Sequence, residues 1–317
     1  MSEHEYEKQV TIREMKQFFD FQQVTGNEES LDRWVIVPDV NRPGLELTGF
    51  YERSEPKRIV VLGAKEMAYI RTLNEETQWE RFDVLTDPYT PAIVICKNYE
   101  PPVILRELAL RKNFPIFTTP EPTYRVMVDI ISFLDEQLAP SDTLHGVLMS
   151  VYGKGVLILG ESGMGKSETA LELIRKGHVL IADDRVDVSR VHNQIFGQAP
   201  DVLKGVLEVR GIGIIDIVKM FGASSILNRI AVDVAIHLEP YDKSEEYERV
   251  GMDSNYVEIL GIAIPQIIFP VKEGRNMAVL IESAVTNFTL KERGFDGAFE
   301  FEQRVVNLIE DQKENQS

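Results

Sequence analysis

The sequence predicts an α/β protein with two domains. Short apolar runs rich in β-branched residues alternate with segments of helical periodicity along the whole chain, which is typical of sheets covered by helices. The length of 317 residues exceeds that of an average domain. A polar, proline-containing segment at residues 139–142 has the composition of a linker. We therefore predict domains over residues 1–135 and 136–317.

The first predicted domain has no phosphate-binding glycine motif. Its elements alternate between strand and helix and are separated by prolines, as expected of a small α/β sheet. We predict strands at residues 35–37, 58–62 and 92–96, and helices at residues 66–73, 103–112 and 123–138.

The second predicted domain begins with two strands and contains a helix that ends at a glycine. Gly177 follows a helical run and suits the C′ position. We predict strands at residues 145–149, 155–159, 178–182, 195–197, 232–238 and 267–269, and helices at residues 168–176 and 300–311.

One segment of the second domain carries the strongest chemical signal. It reads Gly160-Glu161-Ser162-Gly163-Met164-Gly165-Lys166-Ser167, which is the G-x-x-x-x-G-K-S pattern of a P-loop. In such loops, backbone N–H groups surround phosphate oxygens, the lysine reaches the β- and γ-phosphates, and the serine hydroxyl binds Mg²⁺. The flanking strand and helix are the expected context, so we predict a nucleotide or polyphosphate site.

Two aspartates follow the next strand after this helix. Asp183 and Asp184 close an apolar run. In P-loop proteins, an acid at the end of a neighbouring strand holds the metal or acts on the nucleophile. The alternative is that paired aspartates only begin a turn. The position one crossover from the P-loop favours a role beside the γ-phosphate.

The segment at residues 207–216 interrupts an apolar run with charges and glycines. Glu208 is placed to reach Mg²⁺ and Arg210 to reach a phosphate, and the glycines predict a sharp bend or a close approach to a ligand. An edge strand with solvent-facing charges is the competing interpretation.

Four further charged residues are weaker candidates. His145 precedes the first strand of the second domain, and Arg249 lies in a strongly acidic loop. Lys272 and Arg275 follow a strand in a turn. Each has an ordinary alternative: a structural histidine, an exposed ion pair of small energetic value, or a surface turn.

Composition excludes several classes of protein. A formal net charge of −17 argues against general nucleic-acid binding, which needs a basic surface. The apolar runs are too short to cross a membrane, and the acidic N-terminal residues lack the features of a signal peptide. Cys96 is the single cysteine and lies in a strand-like run. We therefore expect a cytoplasmic protein without membrane or nucleic-acid partners.

At these motifs the chain resembles the bacterial HPr kinase/phosphorylase family. The resemblance covers nearly the whole chain. It rests on residues 145–147, the P-loop, the aspartate pair, residues 207–216, Arg249 and residues 270–276. It implies an N-terminal domain similar to part of a Mur ligase, with oligomer contacts as a candidate role. It also implies a P-loop kinase domain similar to the phosphoenolpyruvate carboxykinase core.

The resemblance further implies an activity. Family members transfer phosphate from ATP or pyrophosphate to a serine of the protein HPr, remove it by phosphorolysis that yields pyrophosphate, and form homohexamers. In this chain, Lys166 and the loop amides would bind phosphate, and Ser167 and Glu208 would hold Mg²⁺. Asp184 would be the general base, with Asp183 supporting it. His145 and Arg249 would be active-site residues, and residues 270–275 would serve dephosphorylation.

Two other functions compete with this one. A P-loop kinase for a small metabolite would need the same phosphate site but would not act on HPr. A nucleotide-binding switch without catalysis would not need Asp184, His145 or Arg249.

Overall fold

The computed structural model describes residues 8–52, 57–241, 255–272, 274–295 and 297. The chain forms two compact units, Met1–Ala139 and Pro140–Ser317. Two predicted features, Arg249 and the helix at residues 300–311, lie outside the described residues.

The first unit has a five-stranded sheet between two layers of helices. Its elements are β1 (Val10–Thr11), α1 (Ile12–Phe18), β2 (Gln22–Thr25), β3 (Trp34–Val35), β4 (Val40–Asn41), α2 (Gly44–Thr48), β5 (Ile59–Leu62), α3 (Ala64–Ile70), α4 (Glu75–Leu85), β6 (Ile93–Cys96), α5 (Val103–Arg111), β7 (Ile116–Thr119) and α6 (Thr123–Gln137). The strand order is β2-β7-β6-β5-β4, with β2 antiparallel to β7 and the other neighbours parallel.

Residues of the central strands alternate between two cores. Val60, Leu62 and Ile93 pack on one face with helices α2 to α5, whereas Ile59 and Val61 pack on the other with α1 and α6. Both faces are therefore buried, which explains why these strands are continuous apolar runs. Cys96 is buried at the end of β6, and burial raises the pKa of its thiol.

The described residues of the second unit form three sheets, of six, four and two strands, and a helical layer. Its elements are β8 (Ser141–His145), β9 (Val147–Val151), β10 (Lys154–Gly160), α7 (Lys166–Arg175), β11 (Val179–Ala182), β12 (Arg185–Val191), β13 (Gln194–Gln198), β14 (Val206–Val209), β15 (Gly213–Asp216), α8 (Ile217–Phe221), β16 (Arg229–Ala231), β17 (Val234–Pro240), β18 (Tyr256–Ile259), β19 (Ile262–Val271) and α9 (Met277–Glu292).

The largest sheet of this unit has six strands in the order β11-β9-β10-β17-β19-β18. Strand β10 is parallel to β17, which is parallel to β19, so their carboxyl ends share one edge. One face, with Val156 and Ile158, packs against α7 and α9. The other face, with Leu157, packs against the four-stranded sheet β16-β13-β12-β8.

Most predicted elements are confirmed with shifted ends, and two predicted strands are wrong. In place of the strand predicted at residues 35–37, strand β3 consists only of Trp34–Val35. The chain turns at Val37, whose carbonyl accepts a hydrogen bond from Asp39 N at 2.9 Å. The strand predicted at residues 145–149 is two strands, β8 and β9, in different sheets. A Cβ at Gly146 would lie 2.7 Å from the Ile158 carbonyl oxygen, so glycine is required where the chain crosses between the sheets.

Within the described residues, no helix is both long enough and apolar enough to span a bilayer.

Candidate active site

The P-loop connects β10 to α7 at the carboxyl edge of the six-stranded sheet. Gly160, Gly163 and Gly165 all have positive φ angles, of 140°, 92° and 81°. A Cβ at Gly160 would lie 2.5 Å from the Leu238 carbonyl oxygen of the adjacent strand. The glycines are therefore needed both for the path of the loop and for its close contact with β17.

Lys166 is the first residue of α7 and is buried. Its Nζ donates hydrogen bonds to the carbonyl oxygens of Gly160 (2.8 Å) and Glu161 (2.9 Å). Burial lowers the pKa of Lys166, and the nearby carboxylates of Asp183 and Asp184 oppose that shift. The ammonium group thus lies inside the loop that would surround a phosphate.

Asp183 links the P-loop helix to the β14–β15 hairpin. Only 4% of its surface is exposed. Its carboxylate accepts hydrogen bonds from Ser167 Oγ (2.9 Å) and from Glu208 N (3.0 Å). Burial raises the pKa of Asp183, although both hydrogen bonds favour the ionised form. The residue therefore positions two predicted metal-binding residues at a cost in desolvation.

Strand β11, which Asp183 and Asp184 follow, lies one crossover from the P-loop strand, as the sequence predicts, with one strand between them in the sheet. Strand β9 lies between β10 and β11 and is antiparallel to both. Strands β10 and β11 therefore run in the same direction, and their carboxyl ends reach the same edge one strand apart. Strand β9 separates these two strand ends by one strand only. Asp183 therefore still contacts Ser167, the residue at the end of the P-loop motif.

Asp184 occupies a turn with a positive φ angle of 64°. The amide of Arg185 donates to the Asp183 carbonyl at 2.7 Å, so Asp184 is the central residue of a γ-turn. This conformation is strained for a residue with a Cβ, and such strain occurs most often at functional sites. The Asp184 side chain is 64% exposed and faces the cleft.

His145 lies against Asp184 because β8 pairs with β12. His145 is opposite Arg185 in that antiparallel ladder. Its Nδ1 is 3.1 Å from Asp184 Oδ1, and the amide of Gly146 donates to the Asp184 carbonyl at 3.2 Å. The histidine and the glycine therefore contact the side chain and the backbone carbonyl of Asp184, respectively.

The segment at residues 207–216 is a hairpin and not a single edge strand. Leu207 and Val209 are buried in the core under α7, so Glu208 faces outwards. Arg210 is the second residue of the turn, and its Nη2 donates to Ser162 Oγ at 3.2 Å. Both predicted side chains of the hairpin therefore reach the P-loop side of the structure.

These residues line one cleft with a cavity volume of about 170 Å³. Its lining consists of glycines and polar or charged side chains: His145, Ser162, Gly163, Gly165, Lys166, Ser167, Glu168, Asp183, Asp184, Glu208 and Arg210. Glu168 is the one that the sequence interpretation did not select. The cleft is smaller than typical pockets for drug-sized ligands, and none of the described residues that line it is aromatic or aliphatic, which suits phosphate groups.

The other predicted site residues that the structure describes do not line the cleft. Gly160 and Glu161 contribute carbonyls to Lys166, and Met164 packs on the apolar core. Lys272 and Arg275 follow β19 at the same sheet edge, and Lys272 Nζ lies 5.0 Å from the centre of the Tyr241 ring.

The oxygen donors of the cleft fit a magnesium ion. Ser167, Asp183 and Glu208 present only hard oxygen ligands, which Mg²⁺ prefers. Among the described residues, no three His, Cys, Asp or Glu side chains are grouped as a metal-binding cluster. The donor set therefore fits an ion bound through one or two protein oxygens, waters and substrate phosphates, as is usual for Mg²⁺.

Comparison with known proteins gives one family for both units. Residues 10–134 match the family model described as the HPr Serine kinase N terminus, and residues 136–305 match the HPr Serine kinase C-terminal domain. A protein of Streptococcus gordonii named HPr kinase/phosphorylase is 39% identical over 301 residues, or 95% of this chain and 97% of the relative. A protein of the same name from an Exiguobacterium strain is 41% identical over 91% of this chain and 93% of the relative.

A solved structure is also similar. The Hpr(Ser) kinase/phosphatase from Coxiella burnetii has 37% sequence identity, covers 48% of this chain and 99% of its own, and has a TM-score of 0.45. The two family models together span nearly the whole chain, and the relatives match over most of their length. The chain therefore belongs to the HPr serine kinase family.

Proposed function

We propose that this protein phosphorylates a serine of HPr with ATP or pyrophosphate as the donor, and that it removes this phosphate by phosphorolysis. One observation supports the proposal above all: the P-loop and the His145–Asp184 pair line the same cleft. The relatives named HPr kinase/phosphorylase supply the identity of the protein substrate. Through this reaction the protein would regulate carbon catabolite repression.

In the forward direction, Lys166 and the loop amides bind the donor phosphates. The exposed carboxylate of Asp184 accepts the proton of the serine hydroxyl as its oxygen bonds to the transferred phosphorus, and the bond from that phosphorus to the bridging oxygen breaks. His145 Nδ1, 3.1 Å from Asp184 Oδ1, keeps one carboxylate oxygen engaged and orients the other. Proton transfer of this kind contributes about 10²–10⁴-fold to a rate.

In the reverse direction, a phosphate oxygen attacks the phosphorus of phosphoserine. The bond from phosphorus to the serine oxygen breaks, Asp184 returns the proton to that oxygen, and pyrophosphate forms. The same residue serves both directions because phosphorolysis is the direct reverse of transfer from pyrophosphate, and these two reactions share one transition state. A cleft that held two adjacent phosphates would explain why phosphate, and not water, is the proposed acceptor.

Magnesium is the cofactor that the donor set suits, and when bound it would neutralise charge on the transferred phosphates. Ser167 and Glu208 would hold it, with Asp183 orienting both through the hydrogen bonds described above. Arg210 would contact phosphate from the hairpin, and Lys272 and Arg275 would act in dephosphorylation. Arg249, outside the described residues, would also contact phosphate.

We further propose the finer features that family membership implies. The first domain, residues 1–135, would resemble part of a Mur ligase and contribute oligomer contacts. The second, residues 136–317, would carry catalysis on a core similar to phosphoenolpyruvate carboxykinase. The protein would work as a cytoplasmic homohexamer without nucleic-acid or membrane partners.

An assay with purified HPr tests the proposal. Wild-type protein should form phosphoserine on HPr with ATP or with pyrophosphate, and added phosphate should release it as pyrophosphate. Asp184→Asn should lower both rates about 10²–10⁴-fold and leave nucleotide binding unchanged. Asparagine tolerates positive φ, so this variant should fold normally.

Two outcomes would reject parts of the proposal. Absence of phosphoserine on HPr would favour the small-metabolite kinase. Release of free phosphate in place of pyrophosphate would exclude phosphorolysis.

A further inference from the structure

Two large apolar side chains are exposed on the hairpin that lines the cleft. Ile212 is 68% exposed and Ile214 is 75% exposed. Single exposed apolar residues are common on protein surfaces, but contiguous ones mark binding surfaces. These two lie two residues apart on the same hairpin that supplies Glu208 and Arg210 to the cleft.

The strand pairing places Ile214 directly beside the site. It is opposite Glu208 in the β14–β15 ladder, so the two side chains are on the same face of the hairpin. Directly opposed residues have Cβ atoms about 4.5–5.5 Å apart. The opposite face carries Leu207 and Ile215 and packs on the core, which shows that Ile214 is not needed for packing within this unit.

The turn of the hairpin places Ile212 close to the P-loop as well. The amide of Ile212 donates to the Val209 carbonyl at 3.0 Å and closes a four-residue turn, with Gly211 at a φ angle of 81°. Positive φ at the third position is typical of a type II turn. Arg210, the second residue of the turn, contacts Ser162 of the P-loop. Ile212 is therefore within about 7 Å along the chain of a residue that contacts the phosphate loop.

The hairpin that carries both side chains is anchored by hydrogen bonds to the rest of the unit. Glu208 N is hydrogen-bonded to the buried Asp183 carboxylate (3.0 Å), and Ile217 N donates to the Gly205 carbonyl (2.9 Å). A preorganised apolar surface loses little conformational entropy when a partner binds. The cleft itself is small and polar and would contact little more than a hydroxyl and phosphates, so a protein substrate needs a contact surface outside it.

We infer that Ile212 and Ile214 form the docking surface for apolar side chains that flank the phosphorylated serine of the protein substrate. The inference rests on the proposed function, which supplies HPr as that substrate. When the serine oxygen approaches Asp184, the neighbouring side chains of the substrate cover the rim of the cleft. At the hairpin rim they meet two isoleucines and form an apolar contact next to the reacting groups.

Steady-state kinetics with HPr test this surface. Ile212→Asn and Ile214→Asn should each raise the KM for HPr about tenfold, equivalent to about 1.4 kcal/mol. The KM for ATP and the kcat at saturating HPr should stay unchanged, because neither side chain binds the donor. Ile214→Val should restore most of the affinity. Val128→Asn, at a 59% exposed position on α6 of the other unit, is the matched control and should have no effect.

Each outcome has a defined meaning. If the unaltered protein does not phosphorylate HPr, the proposed function and the docking surface both fail. If it does, and the KM for HPr is unchanged in both variants, only the docking surface fails. An equal rise in the KM for ATP would indicate a distorted site, and a change in oligomer mass would indicate that a second copy of the chain covers the isoleucines; either result would overturn the assignment.

Discussion

Replacing Asp183 by asparagine should have opposite effects on the stability of the protein and on its affinity for magnesium nucleotide. In the folded protein, burial raises the pKa of Asp183 even though Ser167 Oγ and Glu208 N both donate to its carboxylate. The loss of hydration therefore outweighs the two hydrogen bonds. Asparagine has nearly the same shape but carries no charge to desolvate.

The sign of the pH dependence follows from linkage. A carboxyl group with a raised folded pKa contributes stability that is fully present below its unfolded pKa, about 3.9 for aspartate. That contribution is lost as the pH rises through the folded pKa. Each unit of elevation is worth about 1.4 kcal/mol. The stability of Asp183→Asn relative to wild type should therefore rise with pH and become constant above the folded pKa.

The affinity for magnesium nucleotide, in contrast to the stability, should fall in this variant. The Glu208 amide can only donate, so the asparagine oxygen must face it and the NH₂ group must face Ser167 Oγ. The serine hydroxyl would then accept this hydrogen bond with a lone pair that the proposed magnesium site would use. Loss of such a supporting contact typically costs 10–100-fold in metal affinity, and we expect a loss of about this size for magnesium nucleotide.

Urea unfolding of both proteins between pH 4 and pH 8 measures the first effect, and a magnesium titration of nucleotide binding measures the second. Asp187→Asn is the control, because Asp187 lies in β12 and does not line the cleft. A stability difference between Asp183→Asn and wild type that is constant or falls with pH would refute the reasoning. So would unchanged magnesium affinity.

Two further substitutions test the packing of the second unit. Lys176 donates to Glu282, and this hydrogen bond is the main reason that the pKa of Glu282 is lowered. Glu282→Gln should lower the free energy of unfolding by about 1 kcal/mol at pH 7, with a deficit that shrinks below about pH 4; a pH-independent deficit in urea unfolding would contradict this. Gly155→Ala should cost about 2 kcal/mol or more in thermal unfolding, because its Cβ would lie 1.8 Å from the Ala231 carbonyl oxygen. Gly44→Ala, at an open position, is the control, and equal losses would show that the contact at Gly155 relaxes without cost.

The features that the sequence predicts correctly are those that neighbouring residues determine. The P-loop was identifiable because its glycines, lysine and serine are required at fixed spacing. Helices such as α5 and α6 were found because their apolar residues recur with helical period. Helix α4 was missed because only Phe82 and Leu85 are buried in it, so its pattern is mostly polar. Its signal was the cap, where Asn74 accepts a hydrogen bond from Thr77 N.

Pairing between distant segments explains what could not be predicted. The contacts of Asp183 with Ser167 and Glu208 join residues 16 and 25 positions apart, and no local pattern encodes them. The insertion of β9 between β10 and β11 also depends on the register of whole strands. Gly146 is a local signal for the break between β8 and β9, because a glycine within an apparent strand often marks a bend or a close approach of backbone.

Within the described residues, the chain crosses between the four-stranded and six-stranded sheets of the second unit at three points, and His145 and Asp184 lie at two of them. It passes from β8 to β9 through Gly146, from β11 to β12 through the γ-turn, and later from β16 to β17. The P-loop, in contrast, belongs entirely to the six-stranded sheet. A shift of the four-stranded sheet against the six-stranded sheet would therefore move His145 and Asp184 relative to the P-loop while every strand stayed paired. Such a shift would change the distance from the proposed base to the donor phosphates.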